Sequence, residues 1–213
     1  RQGRLIAFGV RALGDARAKY LNSPETPLFD KSTVLYNLAM AREASRKAGT
    51  VLVAEGYMDV IALAQHGFRH AVAPLGTAMT EQHIQALWRM AAEPILCLDG
   101  DAAGQKAALR AAERALPVLK PGKSLRFITL PEGMDPDDLI KQRGLNGFLA
   151  ETARAQSLFD AVWEREISVS RLDTPERKAA LEKRFDDLIG TIRDERVRRR
   201  YQLDLRFKLS NLF

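Results

Sequence analysis

The sequence predicts an α/β chain: a parallel sheet sandwiched by helices, preceded by a basic, turn-rich stretch and followed by a helical bundle. Three observations lead there. Between Thr50 and Arg143 short apolar runs alternate with segments of helical spacing, which is the grammar of strand–helix–strand units. After Gly144 the apolar runs stop and helical spacing takes over. Before Thr50 the chain is broken by loops and carries an excess of cations.

In order, Arg4–Arg11 alternates enough to be a strand, and LGDAR and LNSPETP read as loops. Ser32 is placed to cap a helix through Leu35, Leu38, Ala39 and Arg42, with Gly49 just past its end. The run TVLVAEG is wholly apolar before its acid, as a buried parallel strand is. YMDVIALAQHG follows as a helix closed by Gly67, and HAVAP is a second buried strand. Thr80 caps the helix over EQHIQALWRMA. PILCLD is a third strand, followed by a helix from Ala103 to Leu116, and SLRFITL is a fourth. DPDDLIKQRG opens a short helix that ends at Gly144. Beyond it NGFLAETARAQS, LFDAVWEREISVS, PERKAALEKRFDDLIG and RDERVRRRYQLDLRFKL all have helical spacing, and Asp173-Thr174-Pro175 supplies a cap and a first-turn proline.

Composition is that of a globular chain, 213 residues with 46% hydrophobic and 28% charged. No run approaches the length of a membrane span, and RQGRLIAFGV lacks the features of a signal peptide. The single cysteine, Cys97, excludes an internal disulfide and a Cys/His zinc cluster, and points to a reducing, cytoplasmic compartment. Its place inside PILCLD suits a small buried apolar side chain. The net charge of +6 is unevenly spread: +5 over residues 1–49, −1 over 50–143, −2 over 144–170 and +4 over 171–213. An acidic centre between basic flanks is what metal-binding carboxylates beside phosphate-binding cations produce, and solvated helix faces produce it too.

Three acidic motifs fall at the carboxyl ends of expected strands, where open α/β sheets bind ligands. Glu55 follows VLVA, Asp99 and Asp101 follow PILCL across Gly100, and Asp135 and Asp137 follow RFITL after the turn PEGM. Asp59 lies one helical turn beyond Glu55. Taken singly, each motif is also ordinary turn or helix-cap chemistry. Together they place hard oxygen donors on one edge, the type of ligand Mg²⁺ or Mn²⁺ takes when it shares phosphate oxygens with a substrate. Arg11, Lys19, Tyr20, Asn22 and Lys31 lie in the loop-rich N-terminal stretch, where cations pair phosphates or are simply solvated. The mixed-sign run RDERVRRRYQ reads as a solvated helix face. His66, His70 and His83 lack ligand spacing, and Trp88 and Trp163 read as packing residues.

Glu-Gly after a first strand and Asp-x-Asp after a later one resemble the Toprim domain of primases, topoisomerases, OLD-type nucleases and RecR-type recombination proteins. The longer strings VAEGYMDVIAL, APLGTAMTEQH, CLDGDAAGQKAALRA and LPEGMDPDDLI, with KYLNSPETPLFDKSTVLYNL upstream, are similar to the bacterial DnaG-type primase family. That resemblance covers residues 4–143 and extends to 144–213 only through helical content. It implies the C-terminal part of a basic α+β subdomain at 1–48, a Toprim metal-binding catalytic domain at 49–143 and a helical bundle at 144–213. It further implies template-directed synthesis of short RNA primers on single-stranded DNA from ribonucleoside triphosphates. Glu55 would ligate Mg²⁺ or Mn²⁺ or serve as general base, Asp99 and Asp101 would be metal ligands, and Asp59, Asp135 and Asp137 would complete the acidic shell. Arg11, Lys19, Tyr20, Asn22 and Lys31 would face template or nucleotide. Because the chain starts at Arg1 and not Met, it is expected to be a monomeric piece of a longer protein. A zinc-binding domain would precede it, with no zinc in the piece itself, and a domain contacting the replicative helicase would follow. The alternatives that stay open are a Toprim nuclease or topoisomerase, and a metal-, nucleotide- or DNA-binding module without turnover.

Overall fold

The computed structural model describes residues 5–12 and 20–213. Two antiparallel strands, β1 (Gly9–Arg11) and β2 (Tyr20–Asn22), form a separate ribbon, with Gly9 opposite Asn22 and Arg11 opposite Tyr20. Ser23 closes the ribbon, its amide donating to the Phe8 carbonyl and its Oγ accepting from the Phe8 amide, both at 2.9 Å. The expected strand is thus shorter than predicted among the described residues; Arg4, at its start, lies outside them.

The main sheet has six strands. Its centre is parallel: β4 (Leu52–Val53) lies between β5 (Ala71–Pro74) and β6 (Ile95–Leu98), and β6 pairs with β7 (Arg126–Thr129). Both edges are antiparallel: β3 (Leu35–Tyr36) on β5 and β8 (Gln156–Ser157) on β7. The four parallel strands are those the apolar runs predict. The antiparallel edges correct that reading in two places.

The first correction concerns Ser32, which caps no helix. Asp30 captures it instead, its Oδ1 accepting from the Ser32 amide (2.8 Å) and hydroxyl (2.7 Å), while the Ser32 carbonyl accepts from Thr80 Oγ1 (2.6 Å). The chain then runs extended through β3, and helix α1 (Leu38–Ala48) starts only after Asn37, whose φ of 62° makes the bend. The Asn37 amide donates to the Ala71 carbonyl at 2.9 Å, which ties the bend to β5. Gly49 ends α1 in the left-handed conformation, as expected. The second concerns the chain beyond Gly144, where a strand does occur. Gln156–Ser157 is too short to leave a periodic signal, and Arg126 pins it by donating to the Ala155 carbonyl through Nε (3.2 Å) and a terminal nitrogen (2.6 Å).

Helices cover both faces because neighbouring strand residues point to opposite sides. On one side Leu52, Ala54, Ala71, Ala73, Ile95, Cys97 and Ile128 meet α2 (Tyr57–Gln65) and α5 (Pro136–Ala153), which contribute Val60, Leu63, Leu139 and Phe148. On the other, Val53, Val72, Leu96, Leu98 and Phe127 meet α3 (Glu81–Trp88) and α4 (Ala102–Ala115), the latter continued by a 3₁₀ turn at Leu116–Val118. Gly144 (φ 68°) breaks α5, so the short helix ends where predicted and a second helical stretch runs on to Ala153.

The bundle is α6 (Leu158–Ser168), α7 (Pro175–Gly190) and α8 (Glu195–Leu212). Trp163 stacks on Phe185 (5.2 Å between centroids) and Phe159 meets Tyr201 edge-on (5.3 Å). At its centre Glu166 is buried, with Oε2 held by Arg184 Nε at 2.9 Å and Oε1 by Arg165. A buried carboxylate stripped of a donor keeps its desolvation cost. Arg184→Met is therefore expected to lower the unfolding free energy by about 2 kcal/mol in urea titration, the range of a hydrogen bond to a charged group, and Arg177→Met, on the exposed Asp173 pair, by well under 1 kcal/mol.

Candidate metal and nucleotide site

Each acidic side chain is delivered by the carboxyl end of a parallel strand or by the helix that follows. Glu55 lies just beyond β4, and Gly56 then starts α2 with Asp59 in its first turn. Asp59 Oδ2 accepts from the Gly56 amide at 2.8 Å, so Asp59 closes the same turn that presents Glu55. Asp99 follows β6, and Asp101 caps α4 through the amides of Ala103 and Gly104, both 2.8 Å from Oδ1. Asp135 caps α5 through the Asp138 amide at 2.8 Å. Asp137, in the first turn of α5, is held by Lys141 Nζ (2.5 Å), with His66 Nε2 at 3.7 Å.

Two contacts knit these pieces together. The Asp99 amide donates to Glu55 Oε1 at 3.0 Å, which joins the first motif to the second. The Gly100 amide donates to the Met134 carbonyl at 3.1 Å, which joins the second to the third. The glycines permit this closeness. A Cβ at Gly100 would lie 1.9 Å from the Pro131 carbonyl oxygen; one at Gly104 would lie 2.1 Å from the Asp99 carbonyl oxygen and 2.9 Å from Glu55 Oε1.

Crowding leaves an electrostatic signature. Burial, then the charge of Glu55, Asp59, Asp135 and Asp101, pushes the Asp99 carboxyl up to about 7. Burial also pushes Asp59 up to about 6, against the Gly56 amide and with the help of Asp135, Glu55 and Asp137. Asp99 Oδ1 is buried and has no hydrogen-bond partner. A partnerless buried carboxylate oxygen among other carboxylates fits a cation by its donor chemistry. Among the described residues no group of three His, Cys, Asp or Glu side chains is arranged to hold an ion; Asp59, Asp101 and Asp135 are turned to backbone amides and Asp137 to Lys141. Glu55 and Asp99 are thus the pair the fold brings together directly. Beneath them, burial raises the Cys97 thiol far above its usual range, in keeping with an inert apolar side chain.

The basic ribbon stands next to this edge. The Arg11 guanidinium lies 5.9 Å from the centre of the Tyr20 ring, Tyr20 meets Tyr57 edge-on at 5.5 Å, and Tyr57 is 5.9 Å from Tyr36. Asn22 turns its amide inward, so that Oδ1 is buried. Lys31 is half-buried in the loop before β3, which Thr77 holds through the Lys31 carbonyl at 3.4 Å. Lys19 lies outside the described residues. Sequence reasoning missed Tyr57, the residue that joins the ribbon to the acidic edge, and His66, which reaches Asp137. Tyr57 stands inside the quoted motif directly after Glu55-Gly56, but nothing in its spacing announces a contact with residues far upstream.

Comparison with known proteins agrees with this geometry. The description "Toprim domain" matches residues 49–129, and "DNA primase catalytic core, N-terminal domain" matches residues 1–42. The class is therefore that of Toprim-containing proteins with a primase-type basic segment ahead of the sheet. A DNA primase of Pseudomonas aeruginosa is 51% identical over 181 residues, covering 84% of this chain and 27% of that relative. A solved DnaG catalytic core superposes with a TM-score of 0.90 at 43% identity, over 98% of this chain and 67% of that one. A DnaG primase catalytic domain bound to single-stranded DNA gives 0.88 at 43% identity, over 99% of this chain and 66% of that one. The chain belongs to the bacterial DnaG-type DNA primase family, and it spans about a quarter of the length of that Pseudomonas relative.

Two outcomes test the site's construction. Gly100→Ala should cost about 3 kcal/mol in urea unfolding, since its methyl meets backbone and not a movable side chain. In metal-free protein, raised carboxyl pKa values mean that the native state holds protons the unfolded chain releases. The resulting stabilisation is full below the ordinary value of 3.8 and is lost as pH rises through about 6 for Asp59 and about 7 for Asp99. Stability should therefore fall between pH 4 and 7, and Asp99→Asn should flatten the upper part of that fall.

Proposed function

We propose that this chain is the nucleotidyl-transfer part of a bacterial DNA primase, which joins ribonucleotides into short RNA primers on a single-stranded DNA template. One observation carries the reading: Glu55, tied to the Asp99 backbone amide by a 3.0 Å hydrogen bond, and Asp99 form a partly buried acidic pair beside the ribbon that carries Arg11, in a chain of the primase family. The assignment of divisions is 1–48 as the end of the basic subdomain, 49–143 as the catalytic Toprim domain and 144–213 as the helical bundle, although β3 and β8 reach across those bounds into the sheet.

The reaction makes a phosphodiester. The 3′-hydroxyl of one nucleotide attacks the α-phosphate of the next, and pyrophosphate leaves. Glu55, Asp99 and Asp101 are the residues proposed to carry it, with Asp59, Asp135 and Asp137 completing the acidic shell. Mg²⁺ or Mn²⁺ held there would neutralise phosphate charge and lower the hydroxyl's pKa. Mg²⁺ needs only one or two carboxylates because it keeps waters and takes substrate phosphates, so Glu55 and Asp99 would hold it, with Asp101 beside them. Glu55, held by the Asp99 amide through Oε1, would either ligate that metal or take the hydroxyl proton. Arg11, Lys19, Tyr20 and Lys31 would pair phosphates of the template or triphosphate, with Asn22 setting the ribbon that carries Arg11 and Tyr20. The DnaG catalytic domain bound to single-stranded DNA supports a DNA partner for this chain. Contact with a replicative helicase through a further domain, a zinc-binding domain elsewhere in the longer protein, a monomeric state and a cytoplasmic location complete the proposal. The last is supported by a lone buried thiol.

Calorimetric titration of Mg²⁺ or Mn²⁺ with a nucleoside triphosphate present is the direct test. Wild type should bind only with metal, and Asp99→Ala should bind at least tenfold more weakly with its unfolding midpoint preserved. Equal binding by the variant would remove Asp99 from the site. Incubation with a labelled oligonucleotide, ribonucleotides and Mn²⁺ separates synthesis from strand scission.

A further inference from the structure

The seam between the ribbon and the main sheet contains two buried polar atoms without partners: the hydroxyl of Tyr57 and Oδ1 of Asn22. One is a donor and the other an acceptor. Both press on the same point, since a Cβ built at Gly9 would lie 3.3 Å from Tyr57 Cζ and 3.2 Å from Asn22 Oδ1. The other end of the Asn22 amide is equally confined, because a Cβ at Gly76 would lie 2.8 Å from its Nδ2. The Asn22 amide is thus threaded between a glycine of its own ribbon and one in the loop after β5. Tyr57 is fixed by Tyr20 and Tyr36, and stands two residues past Glu55. A buried donor and a buried acceptor left apart are costly, and a small approach of the ribbon to α2 would join them.

We propose that Tyr57 and Asn22 are a positioning pair: a hydrogen bond from the Tyr57 hydroxyl to Asn22 Oδ1 forms when nucleic acid loads on the β1–β2 ribbon, and it locks Arg11 and Tyr20 in register with Glu55. The inference rests on the reading of that ribbon as the template-facing surface. Neither residue touches the reacting atoms. Gly9 and Gly76 leave room for the closure, because a methyl group at either position would occupy the space the Asn22 amide needs.

A double-mutant cycle tests the pair. Binding of a fluorescein-labelled oligodeoxythymidylate in Mg²⁺ is followed by anisotropy for wild type, Tyr57→Phe, Asn22→Ala and the double variant. Each single change should weaken binding about fivefold, and the double variant should bind no more weakly than either single one. In the free chain Tyr57→Phe should leave the unfolding midpoint unchanged or raise it, because it removes a hydroxyl that has no partner there; a merely structural tyrosine would lower it. If Asn22→Ala does not fold, Asn22→Asp keeps the acceptor oxygen, and Tyr57→Phe should still cost about fivefold in that background. Additive losses, or wild-type binding by Tyr57→Phe, would overturn the pair. Failure of the wild-type chain to bind the oligonucleotide would instead overturn the reading of the ribbon, and the pair with it.

Discussion

Negative charge collected at one edge of the sheet is the constraint around which the rest is arranged. Glu55, Asp59, Asp99, Asp101, Asp135 and Asp137 are brought there by three strand ends that the parallel order places side by side. Such a collection opposes folding, and the structure offsets it piecemeal. Asp59, Asp101 and Asp135 accept backbone amides in the first turns of helices, where the helix dipole favours an anion. Asp137 is met by Lys141. Asp99 alone keeps a buried oxygen unanswered. That gradation separates the carboxylates answered within the fold from Asp99, whose buried Oδ1 is not.

The same edge explains why glycines recur around it. Three loops converge within hydrogen-bond distance of one another, so the backbone of one occupies the space where another's side chain would begin. Gly100 and Gly104 meet carbonyl oxygens that no rotamer change can move aside. Packing on the opposite face, with Val53, Leu96 and Phe127 against α3 and α4, is ordinary by comparison, and the buried Glu166 of the bundle is answered by arginines of its own neighbourhood.

Much of this was legible in the sequence because its causes are local. Four apolar runs marked the parallel strands, and the acids beyond three of them marked the edge. Gly49, Thr80, Asp135 and Thr174 marked helix ends through capping chemistry that acts within a few residues. What escaped depended on distant partners. Ser32 looks like a cap until Asp30 and Thr80 claim it. Leu35–Tyr36 and Gln156–Ser157 are strands only because β5 and β7 lie beside them. Spacing likewise showed that the acids share an edge, yet could not show that only Glu55 and Asp99 are tied directly, or that Asn22 points inward and not toward solvent.

The short antiparallel strands at the two ends of the sheet have a consequence for how the chain divides. β3 comes from residues 35–36 and β8 from residues 156–157, both outside the middle segment whose sheet they complete. Without them, β5 and β7 would each present open backbone donors and acceptors flanked by Val72, Phe127 and Ile128, the kind of border at which separate molecules stick together. The flanking segments therefore act as selvedges as well as neighbours. The middle segment is a piece of cloth that would fray if cut along its sequence boundaries, because the strands that hem its sheet come from either side of it.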